Sequence, residues 1–497
     1  MAIVTPPRAQ GKGQGEAQGE AQDSQPRLPE VEPAVAGLTV GLGGPAGRFA
    51  RLSSSWWTPL RIALAVCTFT FALGVLQKAP CMDAGWDRQN WRPFKALCYS
   101  DIGYLYQERG FAEGNRPFLD TGNYPVLEYP VLTGAFMEAA AQITWVFTGD
   151  PKQDLTEAQK RDTAGVFFVV NVAMLFLCAL LLVGLTMATA RGVARRPGGA
   201  RGQPMVALYV AAAPVLAFTS TINWDLFAVV LTAGAMYAWS RGKPIWFGLL
   251  LGLGTAAKFY PFLLLGPLLI VCLRGRKLWQ WFLAAVATAF SWGLVNAPIY
   301  LLAKNEWMSF WVFNDERESD YGSIWYVLKL AKREVADVNQ LNIVIFAGLC
   351  LSIAILGLMA PRPPRFAQLA FLVVAAFLLV NKVYSPQYVL WLLPLVALAR
   401  PKLRDWLIWQ ACECFYWMMV WLHLAQFLVP GAPEEPDRIY WLSVVLRMAG
   451  TLWLMLVVAR DILLPEKDPV RQGDLVDDPS DGVTSDLPPR KLDPAHA

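Results

Sequence analysis

The sequence predicts an all-α, polytopic membrane bundle, and three observations carry that prediction. Of 497 residues, 55% are hydrophobic and only 16% charged, with a mean hydropathy of +0.36, a balance too apolar for ordinary soluble domains. The apolar residues fall in long blocks separated by short polar breaks. About 20 of them cross the hydrocarbon as helix, which satisfies every backbone polar group internally. The basic residues gather in those breaks, so the net charge of +4 is a topology signal and implies no nucleic-acid partner.

Residues 1–55, rich in Gly, Ala, Gln, Pro and Glu and without the features of a signal peptide, are expected to form a disordered cytoplasmic tail. The membrane domain is expected over residues 56–464, and residues 465–497 read as a second disordered cytoplasmic tail. A first span is expected from about Thr58 to Leu76. The next apolar block, Ala164 to Thr189, is followed by Arg191, Arg195, Arg196 and Arg201, which places that loop on the cytoplasmic side. Further basic breaks at Arg241 and Lys243, at Arg274, Arg276 and Lys277, at Arg362 and Arg365, and at Arg400, Lys402 and Arg404 belong to the same side. An apolar block with both ends inside crosses an even number of times, yet three such blocks have length for only two short helices each.

Each of these three blocks is therefore a hairpin with an outward apex: Asn223-Trp224-Asp225, Lys258-Phe259-Tyr260-Pro261 and Asn381-Lys382-Val383-Tyr384-Ser385-Pro386. Short arms recess these polar apexes, and irregular backbone at that depth is tolerated only beside protein or a watery cavity. The remaining spans are expected at about Leu278 to Leu302, Leu341 to Ala360, Trp406 to Val429 and Trp441 to Leu463, for roughly twelve crossings with both termini cytoplasmic. Two long outer loops, about residues 77–163 and 303–340, have lengths typical of functional segments. The run Val131 to Phe147 contains Glu138 and Gln142 and would invert every later segment if it crossed, so it is placed as an interfacial or re-entrant helix. No internal repeat stands out.

The first outer loop sets Asp83, Asp87, Asp101, Glu108, Glu113, Asp120 and Glu128 among Trp86, Trp91, Tyr99, Tyr104, Tyr106, Tyr124 and Tyr129. Carboxylates accept hydrogen bonds or a proton from hydroxyls, and aromatic faces cover the C–H face of a sugar ring. A solvated acidic loop with a membrane-interface aromatic belt would show the same composition. Tyr99-Ser100-Asp101-Ile102 opens a segment with Tyr104, Leu105 and Glu108 at helical spacing, which makes Asp101 a first-turn residue or a helix cap.

The stretches Cys98-Tyr99-Ser100-Asp101-Ile102 and Leu127-Glu128-Tyr129-Pro130-Val131-Leu132, with the three apexes and Ser385-Pro386-Gln387-Tyr388, resemble the actinobacterial branch of glycosyltransferase family 87. The resemblance spans about Trp56 to Leu464. It implies a C-type glycosyltransferase fold and inverting transfer of a hexose, often mannose, from a polyprenyl-phosphate donor to a glycolipid or glycan of the cell envelope. By position it assigns the general base to Asp101, and it points to Glu128, Tyr129, Asp225, Tyr260, Gln387 and Tyr388 as substrate-binding residues. A departing lipid phosphate needs cations, for which Lys258, Lys382 and Arg317 are the candidates. For each lysine, snorkelling or pairing with Asp225 is the structural alternative.

His423, near the outer end of its helix, is a further candidate for a phosphate or sugar hydroxyl, with a satisfied core histidine as its alternative. Glu413 and Arg447 are expected to form an intramembrane pair. Of eight cysteines, Cys81 and Cys98 alone share the first outer loop, so a disulfide there would brace Asp101 in an oxidising compartment. No zinc-ligand spacing, Walker loop or dinucleotide fingerprint is present, and the expected energy source is the lipid-linked sugar, with no separate cofactor. The expected partners are the bilayer, that donor and an envelope acceptor. A transporter or flippase for a lipid-linked glycan, or a noncatalytic envelope scaffold, are the other classes compatible with broken helices and long tails.

Overall fold

The computed structural model describes residues 58–471, apart from 83–85, 87–90, 121, 123, 152–154, 192–203 and 431–435, together with 478 and 481–483. The tail expected over residues 1–55, and Asp83, Asp87, Arg195, Arg196 and Arg201, lie outside the described residues. Within them all regular structure is helical. Five helices are long and apolar enough to cross a membrane: α1 (Pro59–Met82), α5 (Glu157–Arg191), α11 (Leu278–Leu302), α14 (Val338–Met359) and α18 (Arg438–Leu463). Over the described residues the chain is thus all-helical, with helices that make it a membrane protein.

Shorter helices flank the three apexes. α6 (Leu208–Ala211) and α7 (Pro214–Thr219) precede the first apex and α8 (Asp225–Ser240) follows it. α9 (Pro244–Ala257) meets α10 (Leu265–Arg274) through a 3₁₀ turn at Tyr260–Leu264, and α15 (Phe366–Val380) meets α16 (Val389–Ala399) through one at Pro386–Tyr388. The breaks have local causes. Lys258 and Asn381 leave helical geometry at the C-caps, and Pro261 and Pro386 restart the chain where a missing N–H costs nothing. At the first apex the Asn223 side chain accepts the Asp225 N–H at 2.9 Å, satisfying a donor that begins α8.

α15 and α16 are buried along nearly their whole length, whereas α14 buries only Ile353 and Gly357 and presents the rest outward. α9 packs on α11 with the backbones in close approach. A Cβ on Gly252 would lie 2.0 Å from the Ser291 hydroxyl and 2.3 Å from the Thr288 carbonyl, so only glycine fits there.

Two expected boundaries move for physical reasons. α1 continues past Leu76 to Met82, because Lys78, which reads as the end of an apolar run, is wholly buried and hydrogen-bonded. The span expected from Trp406 to Val429 is α17 (Leu403–Leu424), which starts one turn earlier. The first long loop is itself helical in places, with α2 (Arg92–Lys95), α3 (Asp101–Glu108) and α4 (Val131–Thr148) before α5; the second carries α12 (Lys304–Glu316) and α13 (Ile324–Leu330).

Residues 465–471, expected to begin a disordered tail, pack against the bundle instead. Asp468 is buried and bonds Arg365 at 2.8 Å, and Arg471 donates to the Pro363 carbonyl at 2.6 Å. Glu413 and Arg447 do not form the expected ion pair: both meet Tyr384, whose hydroxyl donates to Glu413 at 2.9 Å and whose ring lies 3.6 Å from the Arg447 guanidinium.

Candidate active site

Both long loops and all three hairpin apexes converge on one cavity of about 720 Å³. Asp101, Arg109, Glu128 and Tyr129 reach its wall from the first loop; Asn223, Lys258, Tyr260, Lys382, Gln387 and Tyr388 come from the apexes; Arg317 and Asp320 come from the second loop. Residues far apart in the chain thus share one polar chamber because each break in a helix falls at the same end of the bundle.

Asp101 opens α3, but it does not cap it. Ser100 is the cap, its hydroxyl oxygen accepting the Ile102 N–H at 3.2 Å while its O–H donates to the Thr221 carbonyl at 2.8 Å. The Asp101 N–H donates to the Ile222 carbonyl at 2.7 Å, which ties the start of α3 to the first apex. The Tyr99 hydroxyl donates to the Asp101 carboxylate at 2.5 Å. The Tyr99 ring stacks with Phe94 at 5.4 Å and packs against Trp421 at 4.8 Å, so an aromatic wall stands beside the carboxylate. The Cys81–Cys98 disulfide, with Cα atoms 5.8 Å apart, fastens the same segment to the end of α1.

A second cluster surrounds Lys258. Its ammonium lies 2.9 Å from Asp225 and 5.1 Å and 5.5 Å from the ring centroids of Tyr129 and Tyr388. Trp391 stacks between Tyr260 at 4.4 Å and Tyr388 at 4.3 Å, and its indole N–H donates to Asp225 at 3.0 Å. Asp225 therefore does not line the cavity as expected of a substrate ligand. It is buried behind the wall, where two donors hold it as the counter-ion of Lys258. Burial, together with the nearby charges of Asp101, Asp225 and Glu128, pushes the Tyr129 phenol well above its ordinary range, so it remains a neutral hydrogen-bond donor.

The other expected cations differ in their pairing. Burial opposes the charge of Arg317, but Asp320 outweighs it and raises its pKa. Lys382 donates only to neutral oxygens among its named contacts, the Asp315 carbonyl at 3.0 Å and the Asn339 side chain at 2.7 Å. The second loop is fixed to the third apex by backbone bonds, from Asp320 N–H to the Lys382 carbonyl at 2.9 Å and from Tyr384 N–H to the Tyr321 carbonyl at 3.0 Å. Gln387 is buried on the wall, and its side-chain oxygen has no partner among the described residues.

His423 is not on the wall. It is fully buried, stacked on Tyr440 at 4.1 Å and joined to Asp437 at 3.1 Å, which makes it a core histidine that supports the junction of α17 and α18. Arg109 is a wall cation that sequence reasoning missed. It clasps Glu128 with Nε at 3.1 Å and Nη2 at 2.7 Å, and the available signal was its position at the end of the helical register begun by Asp101.

The chamber thus offers carboxylates at hydrogen-bonding positions, aromatic faces and several cations, a set suited to a sugar joined to an anionic group. No curated protein matches the chain. The matched stretch of one family model begins near the start of α5 and ends at the third apex, so it includes Asp225, Lys258, Tyr260 and Arg317 and leaves Asp101 outside. Residues 160–381 match glycosyltransferase family 87, consistent with a membrane glycosyltransferase of that family.

Proposed function

We propose that the chain transfers a hexose, with mannose the first candidate, from a polyprenyl-phosphate donor to a lipid or glycan acceptor of the cell envelope, with inversion at the anomeric carbon. The observation that carries this reading is the single cavity in which Asp101 faces the same space as Lys258, Arg317 and Lys382. In the proposed step Asp101 takes the proton of the acceptor hydroxyl, whose oxygen bonds to the anomeric carbon. The bond from that carbon to the phosphate oxygen breaks, and polyprenyl phosphate leaves with the electron pair. The cations stabilise the charge that collects on the leaving phosphate, and Tyr129 supplies a neutral donor beside them. The energy comes from the activated lipid donor.

On this reading the hairpins with the long spans make roughly twelve crossings in a C-type arrangement, both termini are cytoplasmic and the cavity opens outward. The motifs around Asp101 and Glu128 favour the actinobacterial branch of the family. The test is transfer of labelled mannose from polyprenyl-phosphate mannose to envelope lipid extract by purified protein, beside a folded Asp101→Asn variant. Loss confined to the variant supports both activity and base. Equal transfer moves the base to another carboxylate, and transfer by neither protein while vesicles move a lipid-linked glycan between leaflets overturns the reading in favour of a flippase.

A further inference from the structure

The end of α1 holds the segment before Asp101 at three consecutive residues. Gln77 donates to the Leu97 carbonyl, Cys81 is bonded to Cys98, and the Lys78 ammonium donates to the Tyr99 carbonyl at 2.8 Å. From the opposite side the first apex takes Ser100 and Asp101 through the Thr221 and Ile222 carbonyls. Of these three α1 groups, Lys78 is the amine, and it is 0% exposed. An ammonium withdrawn from water is costly, and neither a disulfide nor an amide would incur that cost in bracing the same turn. Methionine would fill similar space without it. The placement is therefore explained by what the amine holds: the carbonyl it bonds belongs to the residue whose hydroxyl bonds the Asp101 carboxylate.

We propose that Lys78 is a positioning residue for Asp101: it fixes Tyr99 through its carbonyl, and the Tyr99 hydroxyl in turn holds the Asp101 carboxylate. The proposal rests on Asp101 being the base.

The experiment compares wild type, Lys78→Met, Lys78→Gln and Asp101→Asn in detergent, with two readouts. The first is kcat and KM for sugar transfer; the second is covalent labelling of Asp101 by dicyclohexylcarbodiimide, which reacts with protonated carboxyls, followed by peptide mass spectrometry with Asp101→Asn as the blank. Lys78→Met is expected to lose on the order of 100-fold in kcat with KM nearly unchanged, as for a displaced catalytic group. Its Asp101 labelling should rise several-fold, because a displaced Tyr99 no longer donates its hydroxyl to the carboxylate and the neutral acid gains. Lys78→Gln, which keeps a donor for the Tyr99 carbonyl, should recover part of kcat, with labelling between those of wild type and Lys78→Met. Wild-type kcat and labelling in either variant would overturn the proposal. Increased labelling in a protein whose wild type transfers no sugar would sustain the Lys78–Asp101 coupling and sink the glycosyl-transfer reading instead. Should Lys78→Met fail to fold, Lys78→Gln decides through its labelling alone.

Discussion

Gln387 sits buried on the cavity wall with an acceptor oxygen that no described residue satisfies, a costly state unless a ligand hydroxyl fills it. Gln387→Leu keeps most of the bulk and removes the acceptor. The KM for sugar substrate is expected to rise about tenfold with kcat little changed, which corresponds to about 1.4 kcal/mol of uniform binding. Lys382 gives a pH test. Burial pushes its pKa below the ordinary lysine value, against the pull of Asp315, and the neighbouring Arg317 pushes the same way. It therefore loses its charge at a lower pH than an exposed lysine would. Donor KM should climb as pH rises toward the lysine range, and Lys382→Arg, whose guanidinium stays charged, should flatten that climb. Parallel alkaline limbs in the two proteins would remove Lys382 from the phosphate site.

The loop between α12 and α13 owes its position to the helices behind it. Gly322 has φ of +78°, its N–H donates to the Tyr440 hydroxyl at 2.8 Å, and its carbonyl accepts from Arg447 at 3.3 Å. A Cβ there would meet the Tyr416 hydroxyl at 2.1 Å and the Tyr384 carbonyl at 2.3 Å. Gly322→Ala should therefore cost about 1–3 kcal/mol in a thermal melt and raise donor KM, because the strain is relieved by moving the loop that carries Arg317 and Asp320. Opening the Cys81–Cys98 link by a double Ser substitution releases a loop with a sequence separation of 17. It should destabilise the protein by about 3 kcal/mol on the chain-entropy account and lower kcat more than KM. The helices themselves were legible in the sequence, since hydrocarbon thickness and basic breaks constrain them strongly; α11 runs over the residues expected. The apexes were legible for the same reason. Whether a polar side chain faces the cavity or stands behind it was not, because Asp225 is the same residue type as the wall groups Asp101 and Asp320, and the partners of Asp225 and His423, Lys258 and Asp437, are set by packing between helices. Arg109 was obscured likewise, its clasp on Glu128 depending on the return of the loop over 19 positions.

Across the molecule, the chemistry-bearing residues gather at one end of the bundle and the buried ion pairs of the basic breaks at the far ends of the same helices. α15 shows the division: Asn381 follows it on the cavity wall, and Arg365 precedes it, 1% exposed and held by Asp468 and by the Leu398 carbonyl at 2.7 Å. Truncation after Leu464 strips Arg365 of its carboxylate and leaves a buried cation uncompensated, at a cost of about 3–5 kcal/mol. The truncated protein should melt at clearly lower temperature and accumulate to lower levels, while Asp468→Asn, which keeps one acceptor, falls between. Because Asp468 is made some hundred residues after Arg365, that arginine waits for its carboxylate while the helices between them are synthesised, and until then the half-built bundle must keep Arg365 in contact with water or with the insertion machinery.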